Sequence, residues 1–175
     1  RAGEGDYMWN NLYVQLRNFR DIYEFADELN QPQYKGVAQI CEAWVFSILT
    51  DIYGDIPFSE ALRGKDLHDF SPAFDKQADI YRALFAKLEE ANDLLGRLPD
   101  NVSLTRDSDP IYGGNARMWR KFGNALYLRL ALRVAHKPEL ESIPIIKKIV
   151  EESPLLYPTM INNEESAILR WSGSA

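Results

Sequence analysis

Two carboxylates stand four residues apart in Asp51-Ile52-Tyr53-Gly54-Asp55-Ile56-Pro57. Such a pair can divide general acid and general base duties, or offer its oxygens to a hard cation. The glycine and the proline argue against both. Gly54 is suited to a left-handed cap position and Pro57 follows it, so Asp55 lies beyond the helix that carries Asp51. Helical geometry therefore does not fix the separation of the two groups. The favoured reading is a structural motif of Asp51, Tyr53, Gly54, Asp55 and Pro57, in which Asp55 satisfies loop amides. A hydrolase using Asp51, Asp55 or Glu60 is the weaker alternative.

Asp107-Ser108-Asp109 offers oxygens to calcium but lacks the glycine and terminal glutamate of an EF-hand loop, so loop capping is preferred. Gly113-Gly114 follows no strand and carries no Walker pattern, which argues against phosphate cradling. The single cysteine, Cys41, allows neither an intrachain disulfide nor a cysteine-based zinc site. Two histidines, His68 and His136, are too few for most histidine metal sites. His68 reads as a solvated loop residue and His136 as a cation at a helix C-terminus. No metal and no cofactor are expected.

Four tryptophans, Trp9, Trp44, Trp119 and Trp171, could each present a flat apolar face to the C–H face of a sugar. Trp44 and Trp119 fall on apolar helix stripes and read as core. Trp9 follows Tyr7 and precedes Asn10-Asn11 at a helix entrance, where an exposed ring beside amides could stack on a ligand and bond its hydroxyls. Tyr7, Trp9 and Asn10 are therefore the candidate ligand contacts. A hydrophobic staple fixing the helix start is the alternative for Trp9. Between residues 116 and 138 lie Arg117, Arg120, Lys121, Arg129, Arg133 and Lys137 with no acid among them. Ion pairing with Asp79, Glu89, Glu90 and Asp93 of the preceding helix, or a solvated face, is favoured over anion binding. Arg129 and Arg133 are expected to be partly buried and paired.

These residues need positioning elements, and the 175-residue chain can supply them. It is 46% hydrophobic and 12% aromatic, enough for a core, and its net charge of -6 argues against nucleic acid as a partner. Leu12, Leu16, Phe19, Tyr23 and Ala26 recur at helical spacing over residues 7–29, with Pro32 as the stop. A second helix over 33–53 is apolar around most of its circumference. A long loop over 54–75 precedes a third helix over 76–97, with Asp75 as its N-cap. After a loop over 99–114, Asn115 caps a fourth helix reaching about His136. A shorter helix over 139–152 ends before Pro154, and the tail after Pro158 reads as irregular. No strands are evident. The fold class is all-α: degenerate tetratricopeptide-like helix hairpins with long loops, in one helical domain over 1–175, with a plain helix bundle as the alternative.

The Asp51–Pro57 motif, its preceding helix rich in alanine, aromatic residues and leucine, and the following Ser59-Glu60-Ala61-Leu62 resemble the signature of SusD/RagB-like proteins. These are outer-membrane nutrient-binding lipoproteins of Bacteroidetes. Three further segments agree in order. They are Ser71-Pro72-Ala73-Phe74-Asp75 with Ile80-Tyr81; Asp109-Pro110-Ile111-Tyr112-Gly113-Gly114-Asn115 with Trp119 to Leu126; and Leu128-Arg129-Leu130-Ala131-Leu132-Arg133. Together they cover most of residues 34–136, and the Asn162 to Trp171 tail also resembles the family.

The resemblance implies a non-catalytic surface binder. It would take up an oligosaccharide, or a peptide in RagB-type relatives, outside the cell. It would pass that ligand to a SusC-like TonB-dependent transporter, on which the helical framework commonly packs. It also implies a longer protein, lipid-anchored at the extracellular face of the outer membrane through a cysteine outside this chain, because Cys41 sits within a helix. A helical-repeat adaptor for another protein is the remaining alternative.

Overall fold

The computed structural model describes residues 3–63 and 71–169. Gly64, His68 and Trp171 lie outside the described residues, as do the last residues of the family-like tail.

Helix α1 (Glu4–Glu28) starts three residues earlier than its stripe predicts. It buries Leu16 and Ala26 against α2 (Pro32–Tyr53). Pro32 does not end α1, as the sequence reading had it. It opens α2, where its fixed φ suits a first turn and its missing N–H is not needed. The reversal is made by Asn30, at φ 51°. Contacts between the helices run Trp9 to Tyr53, Tyr13 to Phe46, Arg20 to Glu42 and Asp27 to Lys35, which fixes them as antiparallel.

The same rule carries through the chain. Helix α3 (Gln77–Gly96) runs against α2, pairing Tyr81 with Asp51, Lys87 with Glu42 and Glu90 with Gln39. Helix α4 (Ala116–Arg133) runs against α3, pairing Arg120 and Asn124 with Asn92, and Tyr127 with Phe85. The fold is thus all-α, a framework of tetratricopeptide-like helix hairpins. Helix α2 lies at its centre, in contact with α1, α3 and α4, which explains its apolar circumference. Among the described residues no helix is long and apolar enough to cross a membrane.

Three local expectations change. First, the 54–75 segment contains a two-residue antiparallel ladder, β1 (Ile56–Pro57) with β2 (Phe74–Asp75), too short to show any alternation. Second, Asp75 is not the N-cap of α3. Lys76 occupies that position without a side-chain cap, and Asp55 Oδ1 instead accepts the Gln77 N–H at 3.0 Å. Third, the helix expected over 139–152 is broken. A 3-10 turn (Pro138–Leu140) meets Glu141 in the left-handed region at φ 48°, then α5 (Ser142–Lys147) passes into a π turn (Lys148–Glu152). Helix α4 likewise stops at Arg133, so His136 lies beyond its last turn and Arg133 is the cation at the dipole's negative end.

Candidate functional site

The carboxylates of the turn motif are used as hydrogen-bond acceptors. Asp51 accepts the Tyr81 hydroxyl at 2.6 Å through one oxygen and pairs with Arg133 Nε at 3.0 Å through the other. Asp55 pairs with Lys76 Nζ at 2.7 Å in addition to capping α3. The Lys76 ammonium, then the Gln77 N–H, hold its carboxyl below the usual aspartate range. Glu60 accepts the Ala73 N–H at 3.0 Å, and Asp75 accepts the Phe58 and Ser59 N–H groups and the Ser59 hydroxyl. Residues 55–60 and 73–77 are thereby stitched together by carboxylates. A general acid needs a raised pKa, and the geometry at Asp55 works in the opposite direction.

Gly54 secures this turn. Its φ of 77° with ψ of -119° is not the left-handed helical conformation expected of a cap, but a region essentially reserved for glycine. The Thr50 carbonyl accepts its N–H at 2.9 Å, and its own carbonyl accepts the Thr50 hydroxyl at 2.7 Å.

Trp9 joins the same assembly. Its ring packs 4.9 Å from Tyr13, 4.9 Å edge-on from Tyr53, and 6.4 Å from Phe74 in a stacked arrangement. Tyr13 donates to the Pro57 carbonyl at 2.7 Å and Tyr53 to the Gly5 carbonyl at 2.8 Å. Trp9 lies six residues into α1, not before its N-cap as a staple residue would, and it contacts Tyr13 of its own helix together with the distant Tyr53 and Phe74. It stays half-buried beside a hollow of about 200 Å³ that Pro57, Leu62 and Pro72 also line. Phe74 presents its ring outward at 64% exposure. Tyr7 and Asn10 are exposed. At about 100° per residue, Tyr7 and Trp9 project roughly 200° apart, so one sugar ring cannot touch both. Phe74, which the sequence reading treated as part of a family motif, shares the face of Trp9.

Asp109 is the most heavily bonded carboxylate. It is 5% exposed and accepts N–H bonds from Ile111, Tyr112 and Gly114 and from the Trp119 indole, at 2.8 to 3.1 Å. Burial pushes its pKa up. The N–H donors of Tyr112, Trp119, Gly114 and Ile111 outweigh that and hold it below the usual range. Its oxygens are occupied, and no cluster of metal-ligating side chains occurs among the described residues. Gly114 lies at φ 89°, and a Cβ there would come within 2.4 Å of the Leu104 carbonyl oxygen. Gly114 thus serves close backbone packing, and Gly113 supplies a positive φ of 58°.

The remaining candidates separate. Trp119 is core at 6% exposure, but Trp44 is 37% exposed, contrary to its stripe, although it packs edge-on against Phe122 of α4 at 5.5 Å. It borders an apolar hollow of about 540 Å³ with Phe19, Ile22, Tyr34, Cys41 and Ile111. Burial pushes the Cys41 thiol up to about 12, so it is not a nucleophile at neutral pH. The basic side chains of α4 do not pair with the acids of α3. Arg117 pairs with Asp100, Lys121 with Glu165 and Arg133 with Asp51. The α3 acids pair with Arg82, Lys148 and Arg97, while Glu90 meets Gln39 and Lys35. Arg129 and Arg133 are both exposed, not partly buried, and Arg129 has no ion pair among the described residues.

A family model described as SusD-like, starch-binding and associating with outer membrane, matches residues 2–175. Among solved structures, a SusD homologue from Bacteroides uniformis is 29% identical with a TM-score of 0.77, covering 93% of this chain and 31% of its own. A chitin-binding protein is 30% identical with a TM-score of 0.75, covering 92% and 33%. A chitin-binding SusD homologue from Flavobacterium johnsoniae is 27% identical with a TM-score of 0.71, covering 92% and 32%. The chain spans about a third of the length of these relatives. Among curated proteins nothing matches.

Proposed function

Because this chain belongs to the SusD-like family, we propose that it acts within a non-catalytic surface protein that captures an oligosaccharide at the outer membrane. The observation that carries the reading is the family match over nearly the whole chain. An oligosaccharide is preferred to a peptide because two relatives are described as chitin-binding. Capture needs no change in covalent bonds. It needs a ring to cover the apolar face of a sugar, and polar groups to replace the water on its hydroxyls.

The proposed stacking surface is Trp9 with Phe74, beside the small hollow at Pro57 and Leu62. Tyr7 and Asn10 would meet a longer saccharide where it passes over the next face of α1. The clasp built on Asp51, Tyr53, Gly54, Asp55 and Pro57 holds this surface in place through Tyr53 and through the Pro57 carbonyl. The captured saccharide would pass to a SusC-like TonB-dependent transporter, with the full-length protein held at the extracellular face of the outer membrane by a lipid anchor outside this chain.

Trp9→Ala is expected to weaken affinity for a bound chito- or malto-oligosaccharide about tenfold, on the order of 1.4 kcal/mol. Phe74→Ala, at an exposed position, should give a smaller loss without disturbing the fold. Calorimetric titration of both variants, with circular dichroism as the fold control, checks this. Unchanged affinity in both would remove the pair from the site. Purification of the full-length native protein tests the transfer step, which requires that it travel with a large outer-membrane barrel.

A further inference from the structure

Helix α1 and its C-cap Leu29 carry a second apolar face that the described residues leave exposed. Val14, Ile22, Phe25 and Leu29 each keep at least 43% of their surface exposed. At about 100° and 1.5 Å per residue they fall within an arc of roughly 80° and run for about 22 Å, with exposed Asn18 between Val14 and Ile22. Leu16, on the other side of the helix, is fully buried. Trp9 also points to that other side, so the seam is separate from the surface proposed for glycans.

The two borders of the seam differ. On one side Phe19 and Ile22 lead into the 540 Å³ apolar hollow, whose far walls are Tyr34, Trp44 and Ile111. This hollow is large enough to seat a bulky side chain, as anchor pockets at interfaces do. On the other side stand Glu24 and Glu28, with Asp21 already paired to Arg17 at 3.1 Å. Glu24 and Glu28 are exposed and have no ion pair among the described residues. One edge is therefore apolar and concave, and the other is anionic.

We propose that this face docks an amphipathic helix whose apolar stripe carries one large anchor residue and whose edge on the acidic side is basic. A helix fits because the seam has helical spacing and the length of about four turns. The charge follows from Glu24 and Glu28, which a basic edge would neutralise. A second copy of the chain fits poorly. Antiparallel pairing would set this acidic border against its own copy, and parallel pairing would set it against an uncharged one.

The probe is a labelled 18-residue helical peptide with leucines at positions 1, 5, 8 and 12, a tryptophan at 15 and lysines along one edge. A second peptide carries glutamates in place of the lysines, and a third is a scrambled lysine peptide. The lysine peptide is expected to bind saturably at one to one, at least tenfold tighter than either control. Phe25→Glu and Val14→Glu, at exposed positions that leave the fold intact, should each weaken it tenfold or more. Trp44→Ala should weaken it through loss of the hollow's wall. Glu24→Lys with Glu28→Lys should reverse the preference to the glutamate peptide. Equal binding of the scrambled peptide, or indifference to Phe25→Glu and Val14→Glu, would overturn the proposal. So would a dimer in sedimentation that Phe25→Glu dissociates, which would make the occupant a second copy.

Discussion

Asp109→Ala should cost about 3–5 kcal/mol of stability, a fall in melting temperature of about 10 °C for a chain of this size. The carboxylate is 5% exposed, and four N–H groups end on it, from Ile111, Tyr112, Gly114 and the Trp119 indole. Alanine leaves all four without an acceptor, in a site where water has little access. It also releases the 109–114 loop from α4, since Trp119 is the link between them. Asp109→Asn should recover part of the loss, because one oxygen still accepts while the new amide group opposes the remaining donors. The pH dependence has a definite sign. The folded pKa lies below the ordinary one, so the unfolded chain binds the proton more readily in the interval between them. The contribution is complete above about pH 4 and is lost as pH falls through the depressed folded value. Thermal melts from pH 7 downward should steepen in the acid limb for the native chain and flatten there for Asp109→Asn.

Glu42→Ala is expected to be next in size, at about 2–4 kcal/mol. Its side chain has no exposed surface and meets Arg20 of α1 at 2.7 Å and Lys87 of α3 at 2.8 Å, so one carboxylate ties three helices together. Removing it leaves two cations facing each other across an apolar centre. They retain 30% and 22% of their own exposure and can turn partly to water, which holds the cost below that of a sealed pair. The triple change Glu42→Leu, Arg20→Met and Lys87→Met should regain most of the loss, because apolar groups of similar size remove the desolvation cost of all three charges. Urea unfolding of the single and triple variants measures both. A triple variant no better than Glu42→Ala would mean that packing, not charge, sets the effect.

What the sequence made legible was local. The apolar stripes of the helices, the stop at Gly54 and the Asn115 cap all depend on residues within a turn or two, and Asn115 does accept the Arg117 and Met118 N–H groups. What it hid was distant in the chain. Asp55 caps α3 from 22 residues away, so the nearer Asp75 looked like the cap by spacing. Glu42 has the pattern of a surface glutamate, and its burial depends on two helices arriving from opposite sides. Trp44 has the pattern of core, yet Phe122 of α4 covers only part of it and 37% of it stays exposed. The cations of α4 found acids at Asp100, Glu165 and Asp51, none of them on the helix opposite. The candidate ligand residues were legible as residue types, but their directions were not. Only the helix geometry separates Tyr7 from Trp9 and brings Phe74 to Trp9 instead.

The central claim is capture of an oligosaccharide without chemistry. Its most direct test is calorimetric titration of the full-length protein against chito-oligosaccharides, malto-oligosaccharides and peptides, with the recovered ligand weighed by mass spectrometry. Saturable binding of one glycan class is expected, weakened by Trp9→Ala, with the ligand recovered intact. Binding of peptides alone, or recovery of a shortened glycan, would contradict it.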